Sequence, residues 1–274
     1  MGICSNIMSL YSSMSSVFKF RDWDDDNHKM MIKDNIIHFA SPSSFNDPFD
    51  STIPFRYDLI NDDELMKAYC RMFKRDEPNI SRQEMRRRAR EEVKKGFTRD
   101  EGYLERARRI IAEFNTRMFG IFSVAKEHYN LLMWSHYASY HKGFCVEFNY
   151  ELLVDFCQKY FEEKEKLLEA REIIYQEEYP ILIPTIEDDV EYMFRPLSMK
   201  SKLWEYEKEH RLIVYEGANE NVVLPNGIIT GIILGCKMPE EYKNEIKVIA
   251  DSKNIHVAES RMHFEKYALE YREY

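Results

Sequence analysis

The stretch Leu203–Tyr215, LWEYEKEHRLIVY, carries the strongest structural signal in the chain. Its alternation of residue types predicts a β-strand, in which successive side chains point to opposite faces. The polar residues of one predicted face are Glu205, Glu207, Glu209 and Arg211. Three carboxylates in a row repel one another, and burying them without partners is costly. The sequence therefore predicts either a face open to solvent or a polar site in which cations neutralise the glutamates. In such a site Arg211 would be one of these cations and would also help to bind a cofactor.

Two further cations that could neutralise the glutamates stand near the start of the chain. The segment Val17–Arg21 also alternates, which places Lys19 and Arg21 on one face of a second predicted strand. Cations on one face of an opening strand can bind a phosphate, and Arg is the better bidentate donor. A salt bridge at the rim of a sheet is the alternative explanation for the pair.

Two further clusters carry polar side chains of the kinds that bind ligands. The loop Ser41–Asp50 supplies hydroxyls and side-chain oxygens, with Ser41, Ser43, Asn46 and Asp47 as candidates. A predicted helix supplies Trp134, His136 and Tyr137. Both clusters have simpler explanations, because turn loops cap themselves and a helical histidine commonly serves as a core hydrogen-bonding group. His136 and His141 are five residues apart instead of four, so no zinc pair is expected.

Composition excludes several classes of protein. Of the 274 residues, 44% are hydrophobic and 14% are aromatic, which is unlike collagen or a disordered chain. The net charge is -9, but Arg71–Arg117 holds 15 basic against 9 acidic residues. A basic segment therefore lies inside an acidic protein. This segment either contacts nucleic acid or is a solvated helix whose charges pair with one another.

The order of predicted elements favours an α+β fold, because strands and helices are intermixed without strict alternation. We expect a flexible arm at residues 1–15 and a single domain at 16–274, with a basic helical insertion at about 62–118. A long helix is predicted at Glu151–Arg171. Five scattered cysteines without a C-x-x-C pair, and no apolar run near ~18 residues, favour a cytoplasmic protein that binds no membrane.

Four segments together resemble a bacterial family of uncharacterised proteins, domain of unknown function 2971. They are FKFRDW with NIIHFASPSSFNDPFD, GIFSVAKE with LLMWSHYASYHKGFCVEF, LWEYEKEHRLI, and ITGIILGCKM. The resemblance spans most of the chain outside the basic segment. It implies no activity, because the function of that family is not known.

A more distant resemblance is to ADP-ribosyltransferases of the arginine–serine–glutamate type. Those enzymes carry Arg, a Ser-x-Ser-like element and Glu-x-Glu on successive strands, and the matching positions here are Arg21 or Lys19, Ser41-Pro42-Ser43, and Glu207-Lys208-Glu209. The resemblance implies a mixed or antiparallel split-sheet core and NAD as substrate. The cation would hold the NAD phosphate or ribose, and Ser41 would brace the nicotinamide ribose. Glu209 would bind a ribose hydroxyl and stabilise the oxocarbenium-like charge, while Glu207 would position or deprotonate the acceptor.

The resemblance further implies a toxin or defence effector that acts on a protein or a nucleic acid. A metal-dependent nuclease or phosphodiesterase is the second hypothesis, with Mg²⁺ held by Asp47, Asp50, Glu207 and Glu209. A non-catalytic sensor or ligand-binding module is the third. Both enzymatic hypotheses require the Lys19/Arg21, Ser41 and Glu207/Glu209 side chains to converge on one pocket, since catalytic groups act within hydrogen-bond reach or through one water.

Overall fold

The computed structural model describes residues 15–183 and 189–273 and shows a mixed α+β fold. A mostly antiparallel sheet of eight strands forms its centre, in the order β12-β11-β10-β4-β1-β3-β8-β5. Its strands are β1 (Ser16–Arg21), β3 (Phe119–Ala125), β4 (Phe144–Asn149), β5 (Leu168–Glu172), β8 (Glu209–Tyr215), β10 (Ile229–Leu234), β11 (His256–Met262) and β12 (Leu269–Glu273). Two small sheets pair β2 (Ile36–Phe39) with β9 (Glu220–Val223) and β6 (Ile174–Gln176) with β7 (Met199–Ser201). The predicted arm, apart from Ser15, lies outside the described residues.

Helices contribute to the cores on both faces of the sheet. They are α1 (Asp26–Lys33), α2 (Asp62–Asp76), α3 (Arg82–Lys95), α4 (Glu101–Met118), α5 (Leu131–Tyr137), α6 (Tyr150–Glu162), α7 (Asp189–Phe194) and α8 (Glu240–Lys253). The larger core joins the sheet to α1, α6 and α8 and includes Phe39, Phe122 and Phe161, all with no exposed surface. The smaller core packs Trp134 of α5 against Phe20 of β1 on the other face.

The helical pattern over 62–118 corresponds to α2, α3 and α4, but the long helix predicted at Glu151–Arg171 is wrong. Helix α6 ends at Glu162, and Leu168–Glu172 forms strand β5 at the edge of the sheet. Leu168 and Ala170 pair with Val214 and Leu212 of β8. Tertiary pairing of these apolar residues therefore overrides a helical pattern that continues past the true end of α6.

The sheet divides between β1 and β3, and this division positions the site. The two strands share one registered pair, Phe18 with Ala125, whereas β1 pairs with β4 along its whole length. Further along β3, Ile121 exchanges two backbone hydrogen bonds with Ala40, just after β2 (2.9 and 2.8 Å). The backbone of β3 thus leaves β1 and bonds the end of β2. A gap opens in the centre of the sheet as a result.

Candidate functional site

A cavity of about 790 Å³ occupies the gap between β1 and β3. This volume falls within the range of roughly 300–1,000 Å³ that is usual for small-molecule sites. The polar lining residues on which the following argument rests are Lys19, Arg21, Tyr137, Lys200, Glu207 and Glu209. They come from β1, α5, β7 and the chain entering β8, so elements distant in sequence build the cavity together.

Lys200 of β7 forms the centre of the acidic end of the cavity. Its Nζ lies 2.6 Å from Glu207 Oε2, 3.3 Å from Glu209 Oε2 and 3.4 Å from Asp50 Oδ2. All four side chains are buried. Burial lowers the pKa of a lysine, but here the three carboxylates outweigh it and raise the pKa of Lys200 above its ordinary value. The ammonium therefore stays charged and holds the carboxylates together.

Arg211 of β8 is the second buried cation at this end, and the protein uses all of its donors. Its Nε and Nη2 bind the two oxygens of Glu209 at 2.7 and 3.0 Å. Its Nη1 and Nη2 bind the two oxygens of Asp50 at 2.8 and 2.6 Å, and Nη1 also donates to the Leu197 carbonyl at 2.7 Å. A guanidinium has five N–H donors. Arg211 therefore holds Asp50 and Glu209 in place and has no donor left for a ligand.

Glu207 and Glu209 have opposite pKa shifts although they lie two residues apart. Burial alone would raise the pKa of Glu209, but Arg211 and Lys200 outweigh it and lower the pKa to about 2. Burial dominates at Glu207 and raises its pKa, despite Lys200 at 2.6 Å and a hydrogen bond from Tyr137 Oη to Oε1 at 2.5 Å. Glu209 is thus ionised throughout the neutral pH range, whereas the raised pKa of Glu207 suits a general base.

The two glutamates also differ in how many hydrogen bonds they can still accept. A carboxylate offers about four lone-pair positions. Glu209 accepts two bonds from Arg211, one from Lys200 and a further one from the Ser123 side chain. Glu207 accepts one from Tyr137 and one from Lys200. Of the two, Glu207 is the one with acceptor capacity for a ligand.

A backbone turn brings both glutamates inward and corrects the single strand predicted at Leu203–Tyr215. Residues Lys202–Glu207 form a 3-10 helix, and the strand begins only at Glu209. Between them Lys208 adopts the left-handed conformation, with φ of 44°. Glu205 is exposed and does not belong to the acidic row. The turn, and not strand alternation, therefore places Glu207 and Glu209 at the same cavity.

Lys19 and Arg21 form a cationic part of the cavity. Neither has an ion pair with a described residue, although Glu209 and Glu207 attract Lys19, and Asp25 attracts Arg21, at longer range. Lys19 Nζ donates to the Ser123 carbonyl of β3 and lies 4.9 Å from the centre of the Phe122 ring. Arg21 Nη1 makes a weak hydrogen bond to the Phe20 carbonyl at 3.4 Å, and the buried Nε of Arg21 has no partner among the described residues. Burial lowers the pKa of Lys19 well below its ordinary value and that of Arg21 to about 10. An anionic ligand would relieve this desolvation.

The remaining predicted site residues divide between the cavity and the scaffold. Asn46 and His136 line the cavity. Four others are not among its lining residues, namely Ser41, Ser43, Asp47 and Trp134. Ser41 Oγ donates to the Thr116 carbonyl at 2.7 Å, and Asp47 Oδ1 accepts from the Phe49 N–H at 2.9 Å. Trp134 is fully buried and donates to the His128 carbonyl at 2.7 Å.

Sequence reasoning missed Lys200 and gave Asp50 only the role of a metal ligand. Lys200 lies on a three-residue strand whose pairing with β6 is parallel, so no local pattern marks it. Asp50 belongs to a turn-rich loop, and its partner Arg211 lies 161 residues further along the chain. The sequence did signal that such a cation exists, because buried glutamates need positive charges nearby. The pattern of the glutamates could not identify which lysine or arginine supplies that charge.

Among the described residues, no three His, Cys, Asp or Glu side chains are arranged so that they could hold the metal ion of the second hypothesis. At the acidic end, Lys200 and Arg211 already neutralise the carboxylates that a metal ion would bind.

Among residues 15–183 and 189–273, no helix has the length and apolar character needed to cross a membrane.

A family model described as "Protein of unknown function (DUF2971)" matches residues 133–212. The matched stretch runs from α5 to β8 and includes Tyr137, Lys200, Glu207, Glu209 and Arg211, which form most of the acidic end. Lys19, Arg21 and Asp50 lie outside it. Neither a curated protein nor a solved structure matches the chain.

Proposed function

We propose that the cavity binds NAD and that the protein transfers its ADP-ribosyl group, as the arginine and glutamate parts of the resemblance suggest. Ser41 does not line the cavity and has no role in this proposal. The observation that carries this proposal is the polarity of the cavity. One part of the lining offers the cations Lys19 and Arg21, which have no ion pair with a described residue, and another part offers the buried carboxylates of Glu207 and Glu209. A pyrophosphate joined to a ribose whose C1 becomes positive in the transition state has the same polarity.

In the proposed reaction the bond between ribose C1 and the nicotinamide nitrogen breaks, and its electron pair leaves with nicotinamide. The acceptor atom forms the new bond at C1, and its proton passes to Glu207, whose raised pKa suits a base. Glu209 stabilises the positive charge at C1 by its own fixed negative charge. Since Glu209 has its lone pairs occupied, its contribution is electrostatic instead of a new hydrogen bond to ribose.

Nicotinamide release from NAD tests the proposal, with water as acceptor when no other is known. We expect Glu207→Gln and Glu209→Gln each to lower the rate about 100-fold or more. Glu205→Gln is the matched control, because Glu205 is an exposed glutamate two residues earlier and should retain full activity. Rates for either buried variant equal to a nonzero wild-type rate would contradict its role.

Arg21→Gln separates loss of chemistry from loss of folding. Its side chain has no ion pair with a described residue, so the variant should unfold at the wild-type temperature. NAD affinity should nevertheless fall by about tenfold, as expected for one lost charge-assisted contact. NAD binding without nicotinamide release would replace the transferase by a ligand-binding module. Absence of NAD binding would reject the proposal, and metal-dependent cleavage of nucleic acid would favour the second hypothesis.

A further inference from the structure

Helix α3 carries a regular row of cations on its exposed surface. The members are Arg82, Arg86, Arg90 and Lys94, which stand four residues apart and are all exposed. Residues at this spacing are neighbours on a helix, and each step advances by about 6 Å along the axis. The row therefore extends over about 18 Å of the helix.

The acidic residues of the same helix are paired with other cations. Arg87 binds Glu84 and Glu91 at 2.7 and 2.6 Å, and Lys95 binds Glu92 at 2.5 Å. Arg88 binds Glu84 at 3.0 Å and Glu77, just beyond α2, at 2.6 Å. By contrast, no side chain of the row has an ion pair or hydrogen bond with any residue that the structure describes. The ion-paired explanation of the basic segment thus holds for part of α3 and fails for the row.

The row is unfavourable to the isolated helix, because like charges four residues apart destabilise it by a few tenths of a kcal/mol per pair. Other features keep α3 folded. Ser81 caps its first turn, Gly96 ends it in the left-handed conformation, and Ala89 is fully buried. The repulsion within the row would be relieved by a polyanion that lies along the helix.

We propose that this row binds the phosphate backbone of a nucleic acid, without reading its sequence. Guanidinium groups bind phosphate in a bidentate manner, and three of the four members are arginines. A protein partner would need an apolar centre to the interface, and a membrane surface would need exposed apolar side chains. Helix α3 offers neither, since Met85 and Val93 are half-buried and no large apolar side chain of this helix is exposed. The proposal is independent of the reaction at the cavity.

Salt-dependent binding to labelled oligonucleotides of about 20 nucleotides tests the proposal, with duplex DNA, duplex RNA and single-stranded RNA as separate probes. Four phosphate contacts predict that log K falls with log salt concentration at a slope of roughly -3 to -4 for at least one probe. The double variant R86Q/R90Q should flatten this slope by about 2. At 0.1 M salt it should weaken binding about 50-fold, since each contact contributes about eightfold.

The matched control is R87Q/K95Q, which removes two charges from the same helix at ion-paired positions. It should keep a slope close to that of the wild type. An equal loss in both double variants would overturn the proposal, because net charge and not the row would then determine binding. A wild-type slope shallower than about -2 for all three probes would also overturn it. So would equally tight binding of polyglutamate or of phosphatidylserine vesicles.

Discussion

At the scale of single residues, Arg211 determines the geometry of the acidic end. It is 1% exposed, yet it carries a full positive charge. Two carboxylates neutralise this charge, and they and one backbone carbonyl accept hydrogen bonds from the guanidinium. Without it, the negative charges of Asp50 and Glu209 would share only Lys200. We therefore assign Arg211 a positioning role instead of the ligand-binding role that the sequence suggested.

Arg211→Met tests this role by keeping an apolar chain of similar length and removing the charge. Breaking a buried ion pair by deleting one partner costs about 3–5 kcal/mol, because the remaining charges are left uncompensated. We expect the free energy of unfolding in urea to fall by this amount. Arg87→Met is the control, since Arg87 is an ion-paired but exposed arginine and its loss should leave stability nearly unchanged. Equal stability of the two variants would contradict the assignment.

At the scale of elements, the prediction succeeded where a pattern is local and failed where distant contacts decide. Strand β1 was found because Val17–Arg21 alternates along its own length. The chain entering β8 alternates equally well, but its first part is a 3-10 helix and the turn falls on Lys208, a residue type that does not mark positive φ. The cations Lys19 and Arg21 could be predicted, whereas Lys200 could not, because only the folded chain brings it to the glutamates.

The turn at Lys208 leads to a prediction at this scale. A left-handed conformation costs an L-residue about 1–2 kcal/mol, and the cost is highest for a β-branched side chain. Lys208→Val should therefore lower the free energy of unfolding by about 2 kcal/mol, whereas Lys208→Gly should stay within about 1 kcal/mol of the wild type. Lys202→Val is the control at an exposed position of the same 3-10 helix. Urea unfolding measures all three, and a valine tolerated equally at both positions would contradict the role of the turn.

At the scale of the whole molecule, charge is segregated in a way that the net value of -9 conceals. At the acidic end two buried cations, Lys200 and Arg211, neutralise most of the charge of three buried carboxylates, so this end adds little net charge to the surface. Helix α3 does the opposite and exposes four cations without partners among the described residues. A nucleic acid that approaches this acidic protein would therefore be attracted to the row on helix α3. The electric field of the row would orient the protein on the nucleic acid.

Acid should lower the free energy of unfolding of the molecule, and protonation of His210 is a main cause as the pH falls below about 6.5. Burial, aided by Lys126, lowers the pKa of His210 to about 4 from an ordinary value of 6.5. Between these values the unfolded chain binds more protons than the folded one, so stability is complete above pH 6.5 and is lost as the pH falls to about 4.

The shift of His210 corresponds to about 3 kcal/mol, since one pKa unit is worth 1.36 kcal/mol. Three other histidines, His28, His128 and His141, have smaller shifts in the same direction and add to the loss. His210→Gln should therefore lose about 3 kcal/mol less than the wild type between pH 7 and pH 4 in urea unfolding. Parallel curves for the two proteins would contradict a buried, neutral His210. Below about pH 4.5 both proteins should lose further stability as Glu209 approaches its pKa of about 2, because protonation removes its attraction to Arg211 and Lys200.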